Sequence, residues 1–191
     1  MRELVIHIAG VSPMLMHSAR LSDPLDPATK ALKAASTKRS KTDDDIEAVA
    51  EAEFMGSLYH DPEAGPYLPG ENIMAALVAG AKLSRLGTKV TRGMLVKSDV
   101  NPLAYDGPRD PVAMWRDGRF KHRASVKVQT SRVIRTRPVF LNWSTSADLL
   151  MDESQLDVDQ LSRIANDTGA FIGVGDWRPR FGRFTAEITE A

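Results

Sequence analysis

The order of the predicted strands and helices constrains the fold of this chain more than any other sequence feature. Leu4–Gly10 is rich in β-branched residues and predicts a buried first strand, which ends before Pro13. The segments 43–59 and 71–83 carry apolar residues at helical spacing, and the second of them follows the turn-forming pair Pro69-Gly70. The first half of the chain therefore predicts a strand followed by two helices.

The second half of the chain predicts further strands and one more helix. Ser125–Ile134 alternates polar and apolar residues, which predicts one strand with a solvent-exposed face, and Val139–Thr145 predicts a central strand. We expect a helix over 157–168 with Gly169 as its C-cap, and a last strand over Arg183–Ile188. Together these elements give the βαββαβ pattern of a ferredoxin-like (RRM-type) α+β fold, with two helices on one face of an antiparallel sheet.

The remaining segments predict insertions on this frame. We expect a single domain over residues 1–191, with insertions at about 18–60 and 87–137. The first insertion is expected to begin as a long loop over 18–45, because prolines interrupt it, and to end in the acidic helix. Residues 87–115 predict short strands separated by prolines.

Composition limits the classes of function. Lys+Arg and Asp+Glu are both 25, and the resulting net charge of zero argues against coating nucleic acid by bulk charge alone. There is no cysteine, which excludes disulfides and thiolate zinc sites and fits a reducing interior. No apolar run approaches the roughly twenty residues of a membrane span, so we expect a cytoplasmic protein with no membrane partner.

The charge is unevenly distributed, and the segment 116–137 is strongly basic. It contains eight basic residues and one acid, so its net charge is 8 − 1 = +7. A basic strand or hairpin of this kind can follow a phosphate backbone, whereas the alternative is an edge strand protected by charge. The candidate phosphate contacts are Lys121, Arg123, Lys127, Arg132, Arg135 and Arg137.

A second basic feature lies near the end of the chain, in the segment 171–184. Three glycines alternate there with three arginines and two aromatic residues. Glycine allows close backbone approach, arginine matches a phosphate and aromatic rings stack on bases, so the segment predicts a nucleic-acid-binding loop. A hairpin turn with a solvated basic rim is equally consistent. The candidate contacts are Trp177, Arg178, Arg180 and Arg183, with Phe181 as a second candidate for stacking.

Three ordered landmarks resemble those of the RAMP superfamily, the fold of CRISPR backbone and processing proteins. Ser12–Met16 resembles the end of the family's first strand, Tyr67–Leu77 resembles its Pro-Gly helix opening, and Gly173–Phe184 resembles its C-terminal glycine-rich loop. The chain departs from the family pattern at Glu71, Asn72 and Met74, which weakens phosphate contact at that helix, and again at Asp176.

The resemblance implies an antiviral, CRISPR-associated function. The basic middle segment looks like the thumb-like hairpin of a backbone subunit, which implies binding of single-stranded RNA, with DNA as an alternative, and head-to-tail self-association. Other subunits of a ribonucleoprotein complex are further implied partners. No cofactor or metal is expected.

Two rival functions remain open. A RAMP-type endoribonuclease could use His17 as a general base, or Asp23 or Asp26 as an acidic residue, although both aspartates also suit turns beside prolines. A protein-interaction subunit could dock its basic hairpin on an acidic partner, for which the acidic helix of another copy is a candidate. We favour a non-catalytic, single-stranded RNA-binding protein.

Overall fold

A computed structural model describes the backbone of residues 1–191 and every side chain except that of Val128. The chain divides into two compact units, which are described separately. The first unit comprises Met1–Met14, His60–Asp106 and Phe140–Ala191, and the second comprises Leu15–Tyr59 and Gly107–Val139. No helix of the described chain is long and apolar enough to cross a membrane.

The strands and helices are numbered in chain order. The strands are β1 (Arg2–Gly10), β2 (Met14–Leu15), β3 (His60–Asp61), β4 (Gly65–Pro69), β5 (Met94–Val96), β6 (Val100–Pro102), β7 (Lys121–Val128), β8 (Ser131–Phe140), β9 (Ser144–Met151) and β10 (Phe184–Glu190). The α-helices are α1 (Pro27–Ser36), α2 (Asp43–Ser57), α3 (Gly70–Leu83), α4 (Gly87–Gly93), α5 (Pro111–Asp117) and α6 (Val158–Asp167). A 3₁₀ turn covers Ala19–Ser22, and a π turn covers Thr168–Ile172.

The first unit is built on a four-stranded sheet in the order β10-β1-β9-β5, and all three neighbouring pairs are antiparallel. Leu4, Ile6 and Ile8 alternate along β1 and are buried, so they form the core face of the sheet. Helix α3 contacts α6 and β5, and α6 contacts β10. A smaller antiparallel sheet, β3-β4-β6, belongs to the same unit. The prediction of a mixed α/β protein with antiparallel sheets is confirmed.

The second unit contains helices α1, α2 and α5 and a three-stranded sheet in the order β2-β8-β7. The rings of Phe54 on α2 and Trp115 on α5 pack with their centroids 5.4 Å apart. Thr42 and Asp45 form a capping box at the start of α2. Hydrogen bonds from the Lys38 ammonium and the Thr42 backbone lower the pKa of Asp45 to about 2.

Two helices that the sequence analysis missed share one start signal. The segment 18–45 is not a long loop, because it contains α1, and the segment 87–115 is not only strands, because α4 and the start of α5 lie there. The side chains of Asp26 and Asp110 accept hydrogen bonds from the backbone of Ala28 and Ala113, and a proline follows each aspartate as the first helical residue. Proline suits this position because its missing N–H would have had no helical partner.

Three boundaries in the second half of the chain also differ from prediction. The proposed single strand over 125–134 is a hairpin, with Gln129 in the left-handed region at φ 54°. The proposed strand over 139–145 is the end of β8 and the start of β9, and Gly169 is not a C-cap because α6 continues into the π turn. The predicted first and last strands and the helices over 43–59, 71–83 and 157–168 are confirmed to within a few residues.

Candidate nucleic-acid interface

The antiparallel hairpin of β7 and β8, here called the basic hairpin, carries six of the predicted contacts. Its register places Lys127 directly opposite Arg132. Both side chains are exposed, and neither has an ion-pair partner among the described side chains. Like charges directly opposite each other destabilise a strand pair. The repulsion between Lys127 and Arg132 therefore destabilises the isolated hairpin, and an anion bound between the two side chains would relieve it.

Two other arginines of the basic hairpin are held by one carboxylate. The Oε1 atom of Glu53 on α2 lies 3.1 Å from Arg135 Nη1 and 3.3 Å from Arg137 Nη1. The Oε2 atom accepts a hydrogen bond from the Thr136 backbone at 2.7 Å. The Glu53 side chain is 5% exposed, so the charges of these arginines compensate a buried acid. Arg135 and Arg137, predicted as phosphate contacts, thus also have a role within the fold.

Lys121, at the start of β7, is also engaged. Its Nζ atom lies 3.6 Å from the centroid of the Trp115 ring, which is a cation–π contact, and 3.5 Å from Glu47 Oε1. Of the six candidates in the hairpin, three therefore have partners. The three exposed cations without a carboxylate partner among the described residues are Arg123, Lys127 and Arg132.

The segment 173–183, here called the arginine loop, lies in the first unit and is shaped by its glycines. The backbone nitrogen of Val174 donates to the carbonyl of Gly182 at 2.9 Å. A Cβ on Gly173 would lie 2.9 Å from that carbonyl oxygen, and both glycines have φ near +75°. The close approach thus joins the two sides of the loop and leaves ligand contact to its arginines and aromatic rings.

Aromatic and cationic side chains cluster on the arginine loop. The centroids of Trp177 and Phe181 lie 5.6 Å apart, and the guanidinium of Arg180 lies 5.3 Å and 5.7 Å from the two rings. Trp177 is 42% exposed. Arg178 Nη1 lies 3.5 Å from the Gly173 carbonyl, and Arg183 Nε donates to the Pro179 carbonyl. All three arginines are exposed, so their charges face solvent.

The three candidate catalytic residues lie in the second unit. His17 is exposed, with Nδ1 3.3 Å from Ser57 Oγ. The side chains of Asp23 and Asp26 accept backbone hydrogen bonds from Leu25 and Ala28, which is the geometry of turn and cap residues. Among the described side chains, no group of three histidine, cysteine or acidic residues is placed to hold a metal ion.

The open face of the four-stranded sheet differs from both basic surfaces. His7 bridges three strands, with Nδ1 2.8 Å from Ser146 Oγ and Nε2 3.1 Å from Thr189 Oγ1. The cavity beside it has a volume of about 700 Å³ and includes Glu187 but no lysine or arginine in its lining. The lining of this cavity therefore lacks the cations that a phosphate backbone needs.

Comparison with known proteins gives a likeness of fold. No family model matches the sequence, and no curated protein matches it. The fold is similar to that of a chain in the cryo-EM structure of the type III-B Cmr-beta complex bound to cognate target RNA, with a TM-score of 0.52 and 9% sequence identity. The likeness is one of fold. The alignment covers 99% of this chain but only 61% of the Cmr-beta chain.

Proposed function

We propose that this protein is a non-catalytic, RAMP-like protein that binds single-stranded RNA and assembles head to tail along it. The observation that carries the proposal is the Lys127–Arg132 pair of the basic hairpin, which places two like charges opposite each other without a described acid to compensate them. A polyanion would supply that compensation.

The sheet of the first unit supports a ferredoxin-like core. Along the chain, α3 lies between β1 and β5, and α6 lies between β9 and β10. Together with the order β10-β1-β9-β5, this supports the βαββαβ arrangement predicted from the sequence. The segments of the second unit, 15–59 and 107–139, fall between core elements, which supports their description as insertions in a single RAMP-like domain.

The arginine loop supports binding of single strands in particular. Bases of a single strand are open to stacking, and Trp177 presents an exposed ring beside Arg180. A duplex would hide its bases from such a ring.

The likeness to a Cmr-beta chain supports RNA over DNA and an antiviral, CRISPR-associated role. That chain belongs to a complex bound to target RNA. By extension, we propose other subunits of a ribonucleoprotein complex as partners, and the cytoplasm as the compartment.

A binding assay tests the proposal directly. Fluorescence anisotropy would compare labelled single-stranded RNA, single-stranded DNA of the same sequence, and duplex, at salt concentrations from about 50 to 200 mM. We expect the tightest binding to single-stranded RNA, with a logarithm of affinity that falls linearly with the logarithm of salt concentration. Salt-insensitive binding, or none to any single strand, contradicts the proposal.

Two further measurements separate the rival functions. We expect RNA to stay intact after incubation with either the wild-type protein or the His17→Ala variant. If the wild-type protein cleaves RNA and His17→Ala abolishes the cleavage, the protein is an endoribonuclease. Light scattering with RNA oligomers of increasing length should show that the mass of the protein–RNA complex increases with RNA length, as more copies of the protein bind. Assembly that needs no nucleic acid would favour a protein-interaction subunit.

A further inference from the structure

A groove in the second unit lies between helix α2 and the basic hairpin, and we call it the α2 groove. Its walls include Ile46 and Val49 from α2 and Ile134 from β8, and Glu53 and Thr136 also line it. Lys41, which precedes the helix, and Arg123 on β7 contribute the cations of the lining. The groove thus combines apolar walls with positive charge.

Two of the wall residues are isoleucines that are exposed to solvent, although large aliphatic side chains favour burial. Ile46 is 42% exposed and Ile134 is 57% exposed. Ile46 falls at a helical spacing that predicted a core position, so its exposure is a departure from the expected packing. Two large aliphatic side chains lining one solvent-open groove mark a surface suited to a ligand.

The charges around the α2 groove favour an anionic ligand. Glu53 is the acid in its lining, and Arg135 and Arg137 both lie within ion-pair distance of that carboxylate. The lining itself carries two cations, Lys41 and Arg123, against one acid, a net charge of 2 − 1 = +1, and that acid is already paired with the two arginines. Arg123 has no ion-pair partner among the described side chains.

The hairpin register connects the groove to the exposed cations. Arg123 lies opposite Thr136, and Lys127 lies opposite Arg132. Because strand side chains alternate between faces, these cations share one face of the hairpin with Ile134. A phosphate backbone on Lys127 and Arg132 would therefore run along the face that lines the groove.

We propose that the α2 groove holds one nucleobase of a bound single strand, with a neighbouring phosphate on Lys41 and Arg123. This inference rests on the proposed single-strand binding and adds a base-binding subsite to it. The cavity volume is about 90 Å³, well below the roughly 300–1,000 Å³ of a pocket for a drug-sized ligand or cofactor. One planar ring between aliphatic walls fits these dimensions and this chemistry.

Photocrosslinking tests the subsite. Single-stranded RNA carrying a diazirine-modified uracil, whose carbene inserts into aliphatic side chains, would be bound to the wild-type protein and irradiated, and crosslinked peptides would be identified by mass spectrometry. We expect crosslinks in α2 or around Ile134. Ile134→Ala should lower the crosslink yield there about ten-fold, as expected for a lost apolar contact in a pocket. Val133→Ala, one residue away on the opposite face, is the matched control and should leave the yield unchanged.

A second pair of variants tests the charge at the groove. Lys41→Gln should reduce the crosslink yield in the groove, whereas Lys33→Gln, on the exposed surface of α1, should not. Equal effects of the two substitutions would indicate general electrostatic attraction and overturn the subsite.

The outcomes distinguish this inference from the function on which it rests. If RNA binds and crosslinks appear only on the arginine loop, the base subsite is wrong, RNA binding stands, and the groove is left to an apolar side chain of a protein partner. If no single strand binds, both proposals are wrong.

Discussion

The backbone nitrogen of Gly182 lies 2.8 Å from the carbonyl oxygen of Pro13. The neighbouring Arg183 nitrogen donates to Ser12 Oγ at 2.9 Å. These bonds join the segment after the first strand to the arginine loop, although they lie about 170 residues apart in sequence. The start of the first sequence landmark and the end of the third are thus joined within the first unit.

Replacing Gly182 tests the importance of this junction for stability. Gly182 has φ +74°, and a Cβ there would overlap the carbonyl oxygen of Val174. Gly182→Ala should therefore lower the free energy of unfolding by more than the about 1–3 kcal/mol of backbone strain alone. Urea unfolding of both proteins measures the difference.

Gly118→Ala is the matched control for this substitution. Gly118 has φ +79°, but a Cβ there meets nothing within 4 Å, so this variant should show the strain without the overlap. Equal losses for the two variants would mean that the close approach at Gly182 contributes nothing.

A second prediction concerns the carboxylate that holds two arginines of the hairpin. Glu53→Gln removes the charge that compensates Arg135 and Arg137. Loss of one partner in a buried ion pair destabilises by about 3–5 kcal/mol, and we expect the lower end because Arg135 is 40% exposed. Chemical unfolding gives the magnitude, and limited proteolysis should show faster cleavage within the hairpin.

Glu47→Gln provides the comparison for Glu53→Gln. Glu47 pairs with Lys121 but is 53% exposed, so its loss should change stability by about 0–1 kcal/mol. If both variants lose the same stability, the buried carboxylate is no more important than a surface one.

A third prediction concerns pH and the start of helix α2. The pKa of Asp45 is lowered from 3.8 to about 2 in the folded state, first by Lys38 and then by Thr42. Its stabilising contribution is therefore fully present above about pH 4 and is lost as pH falls through about 2. Unfolding curves of wild type and Asp45→Asn should converge over that range. Asp44→Asn, which alters the same helical turn without disturbing the capping box, should keep the wild-type dependence.

A fourth prediction concerns the salt dependence of RNA binding. Lys127→Gln with Arg132→Gln removes two phosphate contacts, and each contact to a single strand contributes about 0.7 to the slope of log affinity against log salt. The slope should therefore become shallower by about 1.4. Lys97→Gln, which removes a lysine paired with Glu3 in the first unit, should leave it unchanged. An unaltered slope in the double variant would show that the hairpin does not contact phosphates.

A fifth prediction concerns stacking on the arginine loop. Trp177→Ala should weaken binding of single-stranded RNA by about 1–3 kcal/mol, the usual contribution of one stacked base. Trp177→Phe should recover most of the loss, because it retains a ring. Phe171→Ala removes another exposed aromatic outside the loop and should have no effect. Anisotropy titrations decide the matter, and similar losses from Trp177→Ala and Phe171→Ala would contradict a stacking role.

The first and last strands and three of the helices were predictable from sequence because their signals are local. The β-branched run of β1, the apolar spacing of the segment 43–59 and the Pro69-Gly70 pair before α3 each appear within a few residues. The helices at Asp26-Pro27 and Asp110-Pro111 were equally local, but the prolines were interpreted as breaks when each is the first helical residue after a capping aspartate. The Asp-Pro pair that begins each of these helices was therefore visible in the sequence, but it was interpreted as a turn or a break.

Partners that lie far apart in sequence were not predictable. Glu53 belongs to an acidic helix, and Arg135 follows it by 82 residues, so no local pattern relates them. For the same reason the sequence did not show that Lys41, Ile46 and Ile134 line one groove. The basic segment was correctly recognised as charged, whereas the division of its cations into paired and exposed ones required the structure.

The opposition of Lys127 and Arg132 links two equilibria. Anything that neutralises these side chains relieves a repulsion between β7 and β8, so a bound polyanion should tighten the strand pairing. This coupling is reciprocal. The free energy by which bound RNA stabilises the hairpin equals the free energy by which an ordered hairpin strengthens RNA binding. The amides of β7 and β8 should accordingly exchange their hydrogens more slowly once RNA is bound.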